Sequence, residues 1–129
     1  MSQFLTELET RLKPQSDTVH IVLSRLIYDS DLVGRQKVEK GFETDFASVP
    51  RIPLVFAAWG NTAHREATLH DFNYRSDSPL QLSRTMADKV FLESMKATGK
   101  PFRIYYPMYL GVRAMGWTAY HKKKVGDKL

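Results

Sequence analysis

Two stretches of this chain repeat apolar residues at helical spacing and still carry ionisable groups on the side meant for the interior. The first contains His70-Asp71-Phe72-Asn73-Tyr74 and the second Met86-Ala87-Asp88-Lys89-Val90-Phe91. A helix advances about 100° per residue, so His70 and Tyr74 at i, i+4 share a face, which Ala63 and Ala67 extend toward the N-terminus. Asp71 points about a quarter turn away and serves a different partner. On the second stretch Asp88 is in register with Phe91, Leu92 and Met95, with Arg84 at i−4. Such groups are costly to bury unpaired, so the two helices are expected to face each other and satisfy them mutually. The donors within reach of an inward Asp88 are the His70 ring, the Tyr74 hydroxyl and the Arg84 guanidinium.

This cluster has two readings. In the catalytic one, Asp88 accepts from one ring nitrogen of His70, and the other nitrogen acts as general base on a water. Asp71 is then left to bind a hard cation such as calcium, together with backbone oxygens. In the architectural one, the same residues form a satisfied buried network that locks two helices together.

A second concentration of polar groups lies in Gly41-Phe42-Glu43-Thr44-Asp45-Phe46-Ala47-Ser48-Val49-Pro50-Arg51. Thr44, Asp45 and Ser48 stand between the apolar anchors Phe42, Phe46 and Val49. Short polar side chains of this kind bond their own backbone and fix a loop. Alternatively Asp45 projects toward His70, as a metal ligand or as a partner of the imidazole, and Gly60-Asn61 adds backbone groups to the same place. His64, seven residues before Asp71, shares its helix face and makes either a surface pair or a His/Asp metal site with it. His20 and His121 carry no functional signal. Arg113 and Trp117, at i, i+4, are expected to stack or pack.

Around these clusters the pattern predicts an α+β domain, with a small N-terminal antiparallel sheet followed by about three packed helices. Phe4, Leu5, Leu8 and Leu12 are spaced as a short amphipathic helix over residues 3–12, ended by Pro14. The β-branched run Val19 to Tyr28 reads as one or two strands. Asp29-Ser30-Asp31 reads as a turn, and Gln36 to Lys40 alternates like a strand. An irregular segment broken by Pro50 and Pro53 follows, to about Trp59. Asn61 or Thr62 caps a helix from Ala63 to about Tyr74, and Ser83 caps a second from Arg84 to Ala97, stopped by Gly99-Lys100-Pro101. Phe102 to Tyr106 is expected to be extended, with Pro107 in the first turn of a last helix reaching about His121. Gly111 and Gly116 permit close packing there.

The 129 residues suit one domain, with residues 1–14 and the basic tail 122–129 peripheral. There is no cysteine, which excludes a disulfide framework and thiolate metal sites and suits a reducing compartment. No apolar run approaches the roughly 18 residues of a transmembrane span. Met1-Ser2-Gln3-Phe4 lacks the basic and apolar regions of a classical signal peptide. The net charge of +5 is partly terminal, in Lys122-Lys123-Lys124, and reads as a solvated tail. No nucleic-acid motif accompanies it, so no specific nucleic-acid partner is expected.

The combination of Gly41-Phe42-x-Thr44-Asp45-Phe46-Ala47-Ser48-Val49-Pro50-Arg51, His70-Asp71-x-x-Tyr74 and Arg84-x-x-Ala87-Asp88-x-x-Phe91 resembles a family of small tailed-phage and prophage proteins of unknown function. Tyr109-x-Gly111-Val112-Arg113-x-x-Gly116 looks like its C-terminal signature. This resemblance covers residues 41 to about 117. It implies a phage origin, synthesis in the bacterial host cytoplasm and association with the virion. A shorter likeness, confined to His-Asp-x-x-Tyr and a distal Asp, is to secreted phospholipases of the A-two type. That likeness implies His70 as base, Asp71 on calcium and Asp88 orienting the His with support from Tyr74. The cysteine staples and glycine-rich calcium loop of those enzymes are absent here.

The resulting expectation is a virion- or tail-associated protein with a hydrolase-type site of His70, Asp88, Tyr74 and Asp45. Its partners would be other phage structural proteins, and its substrate a bacterial envelope component, either a lipid ester or a cell-wall bond. The rival is a purely structural neck, tail or baseplate component whose cluster only rigidifies the fold. A third reading is a phage-encoded inhibitor of a host protein.

Overall fold

The computed structural model describes residues 2–44, 63–76, 78–115 and 120. Among these, six short strands precede three helices, the α+β order expected from the sequence. The strands are β1 Gln3–Phe4, β2 Thr10–Leu12, β3 His20–Val22, β4 Leu26–Ser30, β5 Gly34–Val38 and β6 Glu43–Thr44. The helices are α1 His64–Tyr74, α2 Arg84–Ala97 and α3 Phe102–Met115.

The strands form two three-stranded antiparallel sheets, ordered β1-β4-β5 and β2-β3-β6. The β4–β5 hairpin sets the period-2 pattern: Leu26, Tyr28, Ser30, Gln36 and Val38 face inward while Arg35 and Lys37 face water. Ser30 stays in the strand, paired with Gly34, and its hydroxyl accepts from the amides of Leu32 and Val33. The turn therefore lies at 31–33, slightly later than the Asp29-Ser30-Asp31 expected. Gly34 leaves it with φ of +83°, a conformation that side-chain-bearing residues avoid.

The N-terminal helix expected over residues 3–12 does not form. Gln3 and Phe4 pair with Asp29 and Tyr28, and Thr10 to Leu12 pair with Val22 to His20. The reason lies in the tertiary context. Leu5 and Leu12 of the supposed apolar stripe stay 42% and 48% exposed. Phe4 instead packs its ring 4.6 Å from that of Tyr28. Thr6 completes the attachment by accepting from the Ile27 amide and donating to the Arg25 carbonyl. A ten-residue helix has little stability of its own, so ready strand partners prevail.

Helix α2 begins as its sequence predicts, with the Ser83 hydroxyl accepting from the Met86 amide. It ends at Gly99, φ +81°, where the Lys100 amide reaches back to the Met95 carbonyl. Helix α1 is preceded by Ala63, which offers no side-chain cap. The caps expected of Asn61 and Thr62 lie outside the described residues.

Helix α3 corrects a second expectation. Phe102 to Tyr106 is helical, not extended, and Pro107 lies inside the helix instead of its first turn. An interior proline costs roughly 3 kcal/mol through its missing hydrogen bond and ring clash. Packing offsets it: Ile104, Met108 and Val112, at i, i+4, i+8, are buried against Ala67 of α1 and Phe91 and Met95 of α2. A second cluster joins the sheet to the helices through Val22, Leu26, Tyr28, Val38, Leu69 and Val90. Helices α1 and α2 thus have apolar neighbours on two sides and present their ionisable residues to each other.

Candidate functional site

Position sharing along α1 puts Glu66, His70 and Tyr74 at i, i+4, i+8 on one buried stripe. Across from it, α2 presents Asp88, with a side chain of 0% exposure. The His70 Nε2 lies 2.7 Å from Asp88 Oδ1, and the Tyr74 hydroxyl donates to that same oxygen. The His70 ring is held between the Tyr74 ring at 4.0 Å and the Phe91 ring at 4.8 Å, centre to centre. The structure therefore brings together His70, Tyr74 and Asp88, as the spacing predicts. A carboxylate on Nε2 favours the ring tautomer with its proton on that nitrogen.

Asp88 has a further partner that sequence reasoning assigned to packing. Arg113 of α3 donates from Nη1 to Asp88 Oδ2 at 2.9 Å. Arg84, one turn before Asp88 on α2, stands 3.7 Å from the same oxygen. Its guanidinium also donates to the Val112 and Arg113 carbonyls near the end of α3, at 3.2 and 3.0 Å. The available signal for Arg113 was its charge: a fully buried carboxylate calls for cationic donors, and the last helix carries one at Arg113. All three helices consequently meet at Asp88. Burial alone pushes the Asp88 carboxyl up, but the bonds from His70, Tyr74 and Arg113 outweigh it and hold it below the usual carboxylate range. The opposite holds for Tyr74, whose phenol is pushed far up by burial and then by the carboxylate it bonds.

Asp71 turns to the sheet. The Thr44 hydroxyl of β6 donates to its Oδ2, and both residues are buried. Thr44, expected to serve its own loop, thus ties β6 to α1. Beside it Gln36 of β5 and Asn73 of α1 exchange side-chain amide bonds at 2.6 and 3.3 Å. Asp45, Ser48 and Gly60-Asn61 lie outside the described residues. Among the described residues no group of three or more His, Asp or Glu gathers that could hold a metal. Calcium demands six to eight oxygens. The Asp71 carboxylate could contribute at most two of them. The His64 ring lies 6.4 Å from that of His20, a neighbour the sequence did not suggest.

A second ionic hub lies at the other end of the α1 stripe. Glu66 Oε1 accepts from Lys100 Nζ at 2.8 Å and from the Thr98 hydroxyl at 2.6 Å. Both side chains of the ion pair are buried, at 0% and 5% exposure. A cleft of about 590 Å³, lined by residues such as Leu32, Leu92, Glu93 and Tyr109, includes no residue of either hub. No described helix is long and apolar enough to cross a membrane.

No curated protein and no solved structure matches this chain. A family described as protein of unknown function (DUF1353) matches over residues 20–112, from β3 through most of α3. That match contains His70, Asp71, Tyr74 and Asp88 and spans most of the sequence, so the chain belongs to the DUF1353 family.

Proposed function

We propose that this is a bacteriophage protein, associated with the virion or its tail, that hydrolyses ester bonds in lipids of the bacterial envelope. The observation that carries the reading is the His70 Nε2 to Asp88 Oδ1 contact of 2.7 Å, with Tyr74 and Arg113 fixing the carboxylate. Asp88 orients the imidazole and stabilises the imidazolium that forms. The imidazole is then the base, which takes a proton from water as the oxygen adds to the ester carbonyl. The same proton passes to the departing alkoxide as the tetrahedral intermediate collapses to acid and alcohol. One imidazole with one orienting carboxylate fits acyl transfer better than glycosidic cleavage, which uses two carboxyl groups across the scissile bond. This favours the lipid ester over the cell-wall glycan.

The test is release of fatty acid from phosphatidylglycerol vesicles and hydrolysis of a soluble short-chain ester by the purified protein. His70→Gln keeps polar volume but has no basic nitrogen and should lower turnover by about a thousandfold or more. Absence of turnover on both substrates would remove the hydrolase reading. The full burial of His70 and Asp88 favours a second reading, a structural tail, neck or baseplate component. On that reading His70→Gln costs stability and changes no reaction.

A further inference from the structure

Helix α3 is apolar on two faces. Its inner face, Ile104, Met108 and Val112, fills the core. Its outer face sets Phe102, Tyr106 and Leu110 at i, i+4, i+8, with exposures of 62%, 42% and 47%. The Phe102 and Tyr106 rings stack at 4.9 Å and 17°, which makes one continuous apolar ridge. A helix apolar on two faces belongs in a core or against lipid, and among the described residues the outer face stays exposed.

Cations stand beside the ridge. Helix α3 contains no acidic residue, and its exposed Arg103 adjoins Phe102. The Tyr105 ring, in edge contact with Phe102 at 5.7 Å, carries the Lys96 ammonium 5.4 Å above it. Two cations thus flank an aromatic ridge, with a tyrosine whose ring and hydroxyl suit an apolar–water boundary.

We infer that this face docks the protein onto an anionic lipid surface, α3 lying in the plane of the headgroups with Phe102, Tyr106 and Leu110 inserted. Size separates this occupant from a second copy of the chain. Three partly exposed side chains offer a few hundred Å², since an aromatic side chain buries about 150–250 Å² in full. A stable protein interface takes roughly 800 Å² from each partner. An interfacial helix needs only a few apolar anchors with cations beside them. The inference deepens the ester-hydrolase reading, on which the choice of lipid rests, by giving its substrate as an aggregated anionic surface. It also assigns α3 two tasks, because the same helix supplies Arg113 to Asp88.

Co-sedimentation of the full chain with phosphatidylglycerol vesicles and with phosphatidylcholine vesicles tests it. Binding to the first should exceed binding to the second and weaken with salt. Phe102→Ser with Leu110→Ser should lower it about tenfold or more, and Arg103→Glu should lower it on phosphatidylglycerol alone. The substituted side chains are exposed, so melting temperatures should stay within a few degrees. No binding by the native chain, or unchanged binding by the double variant, overturns the inference. So does a concentration-dependent dimer that the double variant abolishes, which would assign the ridge to a second copy. Vesicle binding without turnover of any ester leaves the docking surface standing and removes the hydrolase reading. Loss of vesicle binding in the double variant, with soluble-ester turnover intact, supports both.

Discussion

Asp88→Asn is the substitution with the most to say about this molecule. It keeps the shape of the side chain and removes the charge at the meeting point of three helices. Arg113 Nη1 donates to Oδ2 at 2.9 Å and the Arg84 guanidinium stands 3.7 Å from the same oxygen, so the amide must place its oxygen there. Its NH₂ group then faces His70 and Tyr74, where the carboxylate had accepted from both. The imidazole Nε2, which had faced a carboxylate, must then accept from the amide. The Tyr74 hydroxyl must turn. Breaking a buried ion pair from one side costs about 3–5 kcal/mol, and the part-exposed arginines keep this case near the lower end, about 3 kcal/mol. For a chain of this length that is roughly 10 °C in Tm. The loss should depend on pH. The folded Asp88 carboxyl titrates below its unfolded value of about 3.9. Its stabilisation is therefore fully present above that value and disappears as pH falls through the lower, folded one. Urea unfolding at pH 7 and at pH 2.5 should show native and variant well apart at the first and closer at the second. A gap below about 1 kcal/mol at pH 7, or the same gap at both pH values, would refute the hub. Turnover offers an independent reading, since an amide neither orients the imidazole as the carboxylate does nor stabilises the imidazolium, and should lower the rate by about three to four orders of magnitude.

Other perturbations address other parts of the fold. Arg113→Met should cost about 1.5–3 kcal/mol in urea unfolding, because a buried carboxylate loses its shortest contact to a cation. Lys100→Met alone should cost on the order of 3 kcal/mol by stranding the Glu66 carboxylate. Glu66→Leu with Lys100→Met should recover most of that, as apolar replacement of a whole buried pair commonly does. Thr44→Val should cost about 1–2 kcal/mol by taking a donor from buried Asp71, measurable as a lowered Tm.

The helix pair was legible because its signals are local and redundant. The Ser83 cap, the Gly99 stop and the spacing from Asp88 to Met95 all specify α2 without reference to the rest of the chain. The contact of His70 and Tyr74 with Asp88 follows from two periodicities and one rule, that buried charge seeks donors. What escaped depended on distant residues. Residues 3–12 carry a helical stripe, yet β4 and β3 offer them strand edges, and no pattern inside the segment announces that. Pro107 looks like a helix start because proline suits that position. Its packing against Ala67, Phe91 and Met95, on other helices, offsets the ring inside the helix, and no local pattern announces those partners. Arg113 and Lys100 were missed for a related reason: each supplies charge to a partner more than twenty residues away.

The two hubs explain one another. Glu66, His70 and Tyr74 occupy one stripe of α1, and packing apolar residues there would have been the simpler solution. Instead the stripe is bolted at one end by Lys100, between α2 and α3, and at the other by Asp88 with two arginines. A buried ion pair is weak evidence for stability, since its desolvation can equal its attraction. Its geometric consequence is stronger. Each charge tolerates only placements that keep its partners in reach, so the axial position and rotation of α1 against α2 are fixed at two points. His70 lies between those points, one helical turn from Glu66 and one from Tyr74. A fold that needed only to cohere would gain little from determining one imidazole so closely. A fold that uses that imidazole as a base would require it. Glu66→Leu with Lys100→Met separates the two: near-native stability with impaired ester turnover would show that the second hub serves the geometry of the first.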